Sequence, residues 1–299
     1  MRKSREPARR KNPEEWEKLP CEICAHYEDC PRMRGENICY GLRKKKQIHD
    51  LGTQPPQDTF AQLLGDLHGG RVLDVGTALG GFIHILIKAF AGYTKIIGID
   101  IDAEAIAAGQ KDFQQENVRL LQMNATQMEF EDDSFDLVNC CVSLHHLPHI
   151  DSVLVEMKRV LKPGGYCVVS EMYHDRTPGI DETLFQQQRT EIMMHHWSSA
   201  IDRARGVPHN ETLTSQEIIR CVSKPGWKKL TLYRAKPLDP APKEESFLKC
   251  CERVIDERLA QAKALPDYET FKQHGKETRR RLYEIGVQRS PWIIVVAQK

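Results

Sequence analysis

The chain predicts an α/β fold, a mostly parallel sheet with helices on both faces, and three observations carry that expectation. Apolar strand-like runs alternate with helical runs between residues 70 and 170, and such alternation requires parallel strands joined by crossover helices. Val72, Leu73 and Val75 lead straight into a glycine turn, Gly76 to Gly81, which opens an apolar helix at Ile83. Lys95 to Asp100 is a second buried strand, and it too ends in a carboxylate.

Composition allows a sizeable core: 299 residues, 40% hydrophobic and 28% charged, is ordinary globular usage. A formal net charge of +1 gives no global electrostatic case for nucleic acid or membrane, so such a partner would need a local patch. No apolar run approaches the roughly 20 residues that span a bilayer, and the basic start lacks an apolar signal core. A cytoplasmic location is therefore expected. Ten cysteines, four of them in one short segment, favour reduced thiols over a disulfide framework.

Residues 1–18, with Arg2, Lys3, Arg5, Arg9, Arg10 and Lys11, read as a basic, mobile arm. Residues 19–43 hold Cys21-x2-Cys24-x5-Cys30-x8-Cys39, a spacing that can close a four-thiolate shell. This segment has too few large apolar residues to fold by burial alone, so a bound metal would supply the folding energy. Zinc is the first expectation and an iron–sulfur cluster the alternative. Lys44 to Lys46 and the prolines at 55 and 56 mark a linker, which puts the start of the main domain near Gln57. Thr59 to Leu67 follows as a helix stopped by Gly69-Gly70.

The turn itself reads Asp74-Val75-Gly76-Thr77-Ala78-Leu79-Gly80. Glycines let the backbone bend sharply and let a ligand approach main-chain N–H groups at a helix start. Ala78 stands where a dinucleotide fingerprint wants its second glycine, which disfavours a pyrophosphate. Two strand-end acids, Asp74 and Asp100, with glycines between them make a nucleoside-binding layout. Asp102 then caps a helix, Val118 to Gln122 and Phe135 to Val138 are the next strands, and Tyr166 to Ser170 is the fifth.

Four ordered segments, VLDVGTALGG, IIGIDIDAEAI, FEDDSFDLVNCCVSLHHL and VEMKRVLKPGGYCVVSE, resemble the class I S-adenosylmethionine (SAM)-dependent methyltransferases, in particular the ubiquinone and menaquinone branch. The resemblance spans about Phe60 to Glu171. It implies a Rossmann-like, seven-stranded sheet with its last strand antiparallel, a SAM-binding core over 57–175, and an EC 2.1.1 activity on a small-molecule acceptor. It implies cofactor contacts from Asp74, Gly76, Thr77, Ala78 and Gly80. Asp100 would receive the ribose hydroxyls, Ile101 would lie against adenine, Asn124 and Ala125 would border the adenine amino group, and Cys141 would face the methionine end. His145 and His146 are candidate bases, or family scaffold beneath the cleft.

Residues 176–299 read as a helical cap with insertions and the last two strands. The long helix from Asp181 to Arg205 carries Met194, His195 and Trp197, candidates for an acceptor pocket or else plain core. His195 and His196 point to different helix faces and cannot share one metal. A short helix starts at Thr214 or Ser215, Trp227 to Tyr233 is a strand, Glu244 to Gly286 is helical with a break at Pro266, and Pro291 to Ala297 is the last strand. Two further functions stay open: RNA or protein methylation docked by the cysteine module, and a non-catalytic SAM- or metal-binding regulator.

Overall fold

The computed structural model of the protein describes residues 48–64, 70–90, 92–177, 179–207, 209–237 and 240–299. The basic arm (1–18) and the four-cysteine module (19–43), with Cys21, Cys24, Cys30 and Cys39 and the zinc or iron–sulfur expectation attached to them, lie outside the described residues.

Strands β1 (Ile48–Gln54), β2 (Gly70–Val75), β3 (Tyr93–Asp100), β4 (Val118–Gln122), β5 (Phe135–Cys141), β6 (Leu161–Met172), β7 (Lys229–Pro237) and β8 (Trp292–Gln298) form one sheet. Their order is β1-β7-β8-β6-β5-β2-β3-β4. β8 runs antiparallel to both neighbours, β6 and β7, and every other adjacent pair is parallel. Among the described residues eight α-helices accompany the sheet: α1 (Pro56–Leu64), α2 (Gly81–Ala89), α3 (Ala103–Gly109), α4 (Ile150–Val160), α5 (Glu182–Ala204), α6 (Ser215–Ser223), α7 (Glu245–Ala262) and α8 (Tyr268–Glu284).

The sheet has eight described strands where seven are expected, because the presumed linker before Gln57 is itself a strand. Among the described residues β1 pairs only with β7, and its register shifts between Asp50 and Thr53. Gly52 sits there at φ 72°, its N–H held by Asp50 Oδ1 at 2.9 Å. The irregularity breaks the two-residue alternation by which a strand is read from sequence. Smaller boundary shifts are of the ordinary kind: α1 spans 56–64 rather than 59–67, and β7 spans 229–237 rather than 227–233.

The sheet is buried on both faces, as parallel strands require. Leu73, Val75, Val138, Cys140 and Val169 pack with Val153 and Met157 of α4 and Ile218 and Val222 of α6. Val72, Ile96, Leu137 and Val168 face the other way, onto Phe60 of α1 and Ile83 and Leu86 of α2. Helices start where expected: Asp102 Oδ1 accepts the N–H groups of Glu104 and Ala105, and Thr214 with Glu217 forms a reciprocal capping box on α6. A third core joins α5, α7 and α8 through Trp197, Ile201, Leu248, Ile255, Phe271 and Leu282. Among the described residues no helix is long and apolar enough to cross a membrane.

Candidate functional site

The loops that leave β2, β3 and β5 meet at the carboxyl edge of the sheet, where ligands of open α/β sheets collect. Gly76 and Gly80 hold φ of 73° and 82°, and a Cβ on them would fall 2.6 Å from Ser143 Cβ and 2.5 Å from the Phe113 ring. Both positions therefore demand glycine. The N–H groups of Gly76 and Thr77 donate to Ile99 O at 2.9 and 3.0 Å, which ties the turn to β3. Asp100 Oδ2 accepts the Ala78 N–H at 2.9 Å, and Oδ1 accepts that of Asp102 at 3.1 Å. The Ser143 hydroxyl lies 2.8 Å from Gly76 O and 2.9 Å from Cys141 O, bracing the turn from the β5 side.

Ala78 adopts φ 47°, the left-handed region that a Cβ disfavours. Ala78→Gly is expected to stabilise the fold by roughly 0.5–1 kcal/mol, because relief of that strain outweighs the added freedom of the unfolded chain. Urea unfolding of parent and variant checks this through a higher midpoint at unchanged slope.

Asp74 is buried, with Thr77 Oγ1 and Asn139 Nδ2 each donating to it at 2.7 Å. Burial pushes its carboxyl up to about 6, the two hydrogen bonds pull the other way, and the nearby Asp100 charge adds to the rise. Between the ordinary value of 3.8 and about 6 the folded chain holds a proton that the unfolded chain has lost. The stability contributed by this group is therefore full below the lower value and lost as pH rises through about 6. Asp74→Asn keeps the Asn139 contact on its carbonyl and the Thr77 contact with that hydroxyl turned to accept, and it removes the titration, so its stability relative to the parent should improve by about 2 kcal/mol on going from pH 4.5 to 7.5. Denaturant unfolding at the two pH values measures it.

Two large apolar side chains stand open on this edge: Ile101 is 65% exposed and Leu79 is 55% exposed. Asn124 is exposed at the end of β4, and its Oδ1 accepts from the Thr126 N–H at 3.0 Å and Oγ1 at 2.9 Å. Ala125 packs beside it against the α4 face of the core. The Cys140 and Cys141 thiols are pushed well above the ordinary thiol range by burial, with the Asp74 and Glu171 charges acting in the same direction. Neither offers a thiolate at neutral pH.

Next to this turn, four histidines gather. Leu144–His146 forms a single 3-10 turn after β5, so the two histidines precede α4. The His145 ring is buried, and its centroid lies 4.1 Å from that of His146, 5.7 Å from His209 and 6.4 Å from His195. Glu171, fully buried at the end of β6, accepts the Leu144 N–H at 2.8 Å and sets Oε1 3.1 Å from His145 Nδ1. That last contact lacks the alignment of a hydrogen bond, and among the described residues Nδ1 has no other partner. His209 Nδ1 lies 2.9 Å from Asp202 Oδ2, and Arg258 donates to Asp202 Oδ1 at 2.7 Å. Desolvation and the neighbouring imidazoles hold His146, His195 and His209 below the ordinary histidine range.

The three acceptor-pocket candidates separate. His195 joins the cluster, whereas Trp197 is buried in the α5–α7–α8 core with Nε1 donating to Phe271 O at 3.0 Å, and Met194 packs against the same core. His196 points elsewhere, to Thr212 Oγ1 at 2.7 Å. The segment after α5 serves two sites: His209 enters the cluster, and Asn210, Thr212 and Leu213 line a cavity of about 690 Å³ with His149, His174 and Glu217. Sequence reasoning missed Glu171, Asp202 and His209. Glu171 had a signal, a carboxylate closing the apolar run of β6, whereas Asp202 and His209 had none.

A family model described as a methyltransferase domain matches residues 66–232. The uncharacterized methyltransferase YcgJ of Bacillus subtilis (strain 168) is 30% identical over 152 residues, 50% of this chain and 58% of that protein. A demethylmenaquinone methyltransferase of Staphylococcus aureus (strain MRSA252) is 35% identical over 116 residues, 38% of this chain and 48% of that protein. The chain thus spans about half the length of these relatives. The crystal structure of YcgJ superposes with a TM-score of 0.50 at 18% identity, covering 82% of this chain and 97% of that one. The [4+2]-cyclase SpnF reaches the same TM-score of 0.50 at 17% identity over 81% of this chain and 80% of its own, so the fold alone does not set the reaction.

Proposed function

The chain belongs to the methyltransferase-domain family, and from that premise we propose that it transfers a methyl group from SAM to a small-molecule acceptor. The observation that carries this reading is the pairing of a strand-end acid with an exposed apolar residue: Asp100 anchors the turn at Ala78, and Ile101, next in sequence, lies open at 65% exposure. A nucleoside needs both, a carboxylate to accept two ribose hydroxyls and an apolar shelf for its base. Gly76, Thr77, Ala78 and Gly80 would present bare backbone to the amino acid end, with Asp74 and Cys141 beneath it. Asn124 and Ala125 would border the base, Asn124 accepting through a carbonyl already shared with Thr126.

Bound there, SAM supplies a methyl group activated by its sulfonium. The chain's own part is to align the acceptor, exclude water and, where the acceptor must lose a proton, receive it. His195 is at hand for the last task, and His145 and His146 while their ring nitrogens carry no metal, and the acceptor is assigned to their side of the edge. The demethylmenaquinone methyltransferase name of the S. aureus relative favours a small molecule over a macromolecule.

Turnover with methyl-labelled SAM tests the reading. Label should pass into a cell metabolite fraction and leave bulk RNA and protein unlabelled. Label confined to RNA or protein, or saturable SAM binding with no transfer to any fraction, would replace it.

A further inference from the structure

The geometry points to a transition-metal site made by His145, His146 and His209, distinct from the four-cysteine module and independent of the methyl donor. One ring nitrogen from each residue lies within 4.8 Å of the other two. Tetrahedral zinc at about 2.0–2.1 Å from nitrogen sets its ligands about 3.4 Å apart. Closing the difference takes about an ångström of ring movement, within reach of small side-chain rotations.

The surroundings of the rings are those of ligands rather than of core histidines. A ligating histidine turns its other nitrogen to a carboxylate or a carbonyl, which fixes the tautomer and aims the lone pair. His209 Nδ1 meets Asp202 Oδ2 at 2.9 Å, which leaves its Nε2 to bind, whereas His145 Nδ1 lies 3.1 Å from Glu171 Oε1 without hydrogen-bond alignment. Asp202 is itself held by Arg258 at 2.7 Å. The two chain segments are pinned together, since Asn210 N–H donates to His145 O at 2.9 Å and Asn210 Nδ2 to Leu147 O at 3.1 Å. Packing alone gives no reason to bring three imidazoles together around one point, nor to leave His145 Nδ1 buried without an aligned partner.

Three imidazoles suit zinc, iron(II), cobalt(II) or copper(II), and three protein ligands leave a position open. His195, its ring at 86° to that of His145, borders the cluster. His146 is exposed and gives the site a route to solvent.

The test uses the full chain with Cys21, Cys24, Cys30 and Cys39 all changed to Ser, which removes the competing thiolates. Titration with Co2+ is expected to give one equivalent bound, with ligand-field bands of a nitrogen-ligated ion and no thiolate charge-transfer band. His146→Ala and His209→Gln should each weaken Co2+ and Zn2+ at least tenfold, and Asp202→Asn should do so by about 10- to 100-fold with the fold retained by circular dichroism. In the parent chain His146→Ala should lower bound Zn2+ by one equivalent, which keeps the test valid if the serine variant does not fold. No uptake by a folded serine variant, a thiolate band in it, or a parent-chain stoichiometry unchanged by His146→Ala together with His209→Gln would overturn the site.

Discussion

Asp100→Ala is expected to lower SAM affinity by about 100- to 1,000-fold. Asp100 spends one lone pair of each carboxylate oxygen on the chain, on the N–H groups of Ala78 and Asp102 at 2.9 and 3.1 Å. The remaining lone pairs would accept two ribose hydroxyls. Hydrogen bonds to a charged group contribute about 1.5–3 kcal/mol each, so losing two at the lower end of that range costs about 3–4 kcal/mol of binding. The alanine variant also frees the Ala78 N–H and loosens a turn already strained at φ 47°. Asp100→Asn, which keeps one acceptor, should fall between the two. Isothermal titration measures all three proteins, and an Asp100→Ala affinity within twofold of the parent would remove Asp100 from the site.

Glu171→Ala should produce the largest loss of stability, about 3–5 kcal/mol. Glu171 has no exposed surface and accepts three backbone N–H groups: Leu144 at 2.8 Å, His145 at 3.3 Å and Met172 at 2.9 Å. Each donor left buried without a partner costs about 1–3 kcal/mol. Because Leu144 and His145 start the 3-10 turn, the loss also releases the histidine cluster. Glu171→Gln, which retains one acceptor oxygen, should lose less. Urea unfolding with an unchanged slope gives the comparison, and a shift under 1 kcal/mol for the alanine variant would contradict it.

Features governed by neighbouring residues were legible in the sequence. The glycine turn, the Asp102 cap, the Thr214–Glu217 box and the break between α7 and α8 each depend on a few adjacent positions, and their residue types state the backbone they need. β1 was hidden because a strand on the sheet edge with a glycine irregularity shows neither an apolar run nor a clean alternation. The histidine cluster was half hidden. His145 and His146 are adjacent in sequence, but His209 arrives from a loop more than sixty residues on, carried there by α5, and only the fold brings Asp202 behind it. Trp197 shows the converse: an aromatic residue near histidines in sequence turns to the opposite side of its helix and packs in the core.

Hydrogen exchange of the full chain with and without SAM tests the central claim most directly. SAM held across the carboxyl edge should slow exchange in residues 76–81, 100–102, 124–126 and 141–143 while leaving α7 and α8 unchanged. Exchange that stays the same in those four segments, or slows only in the helical layer, would contradict it.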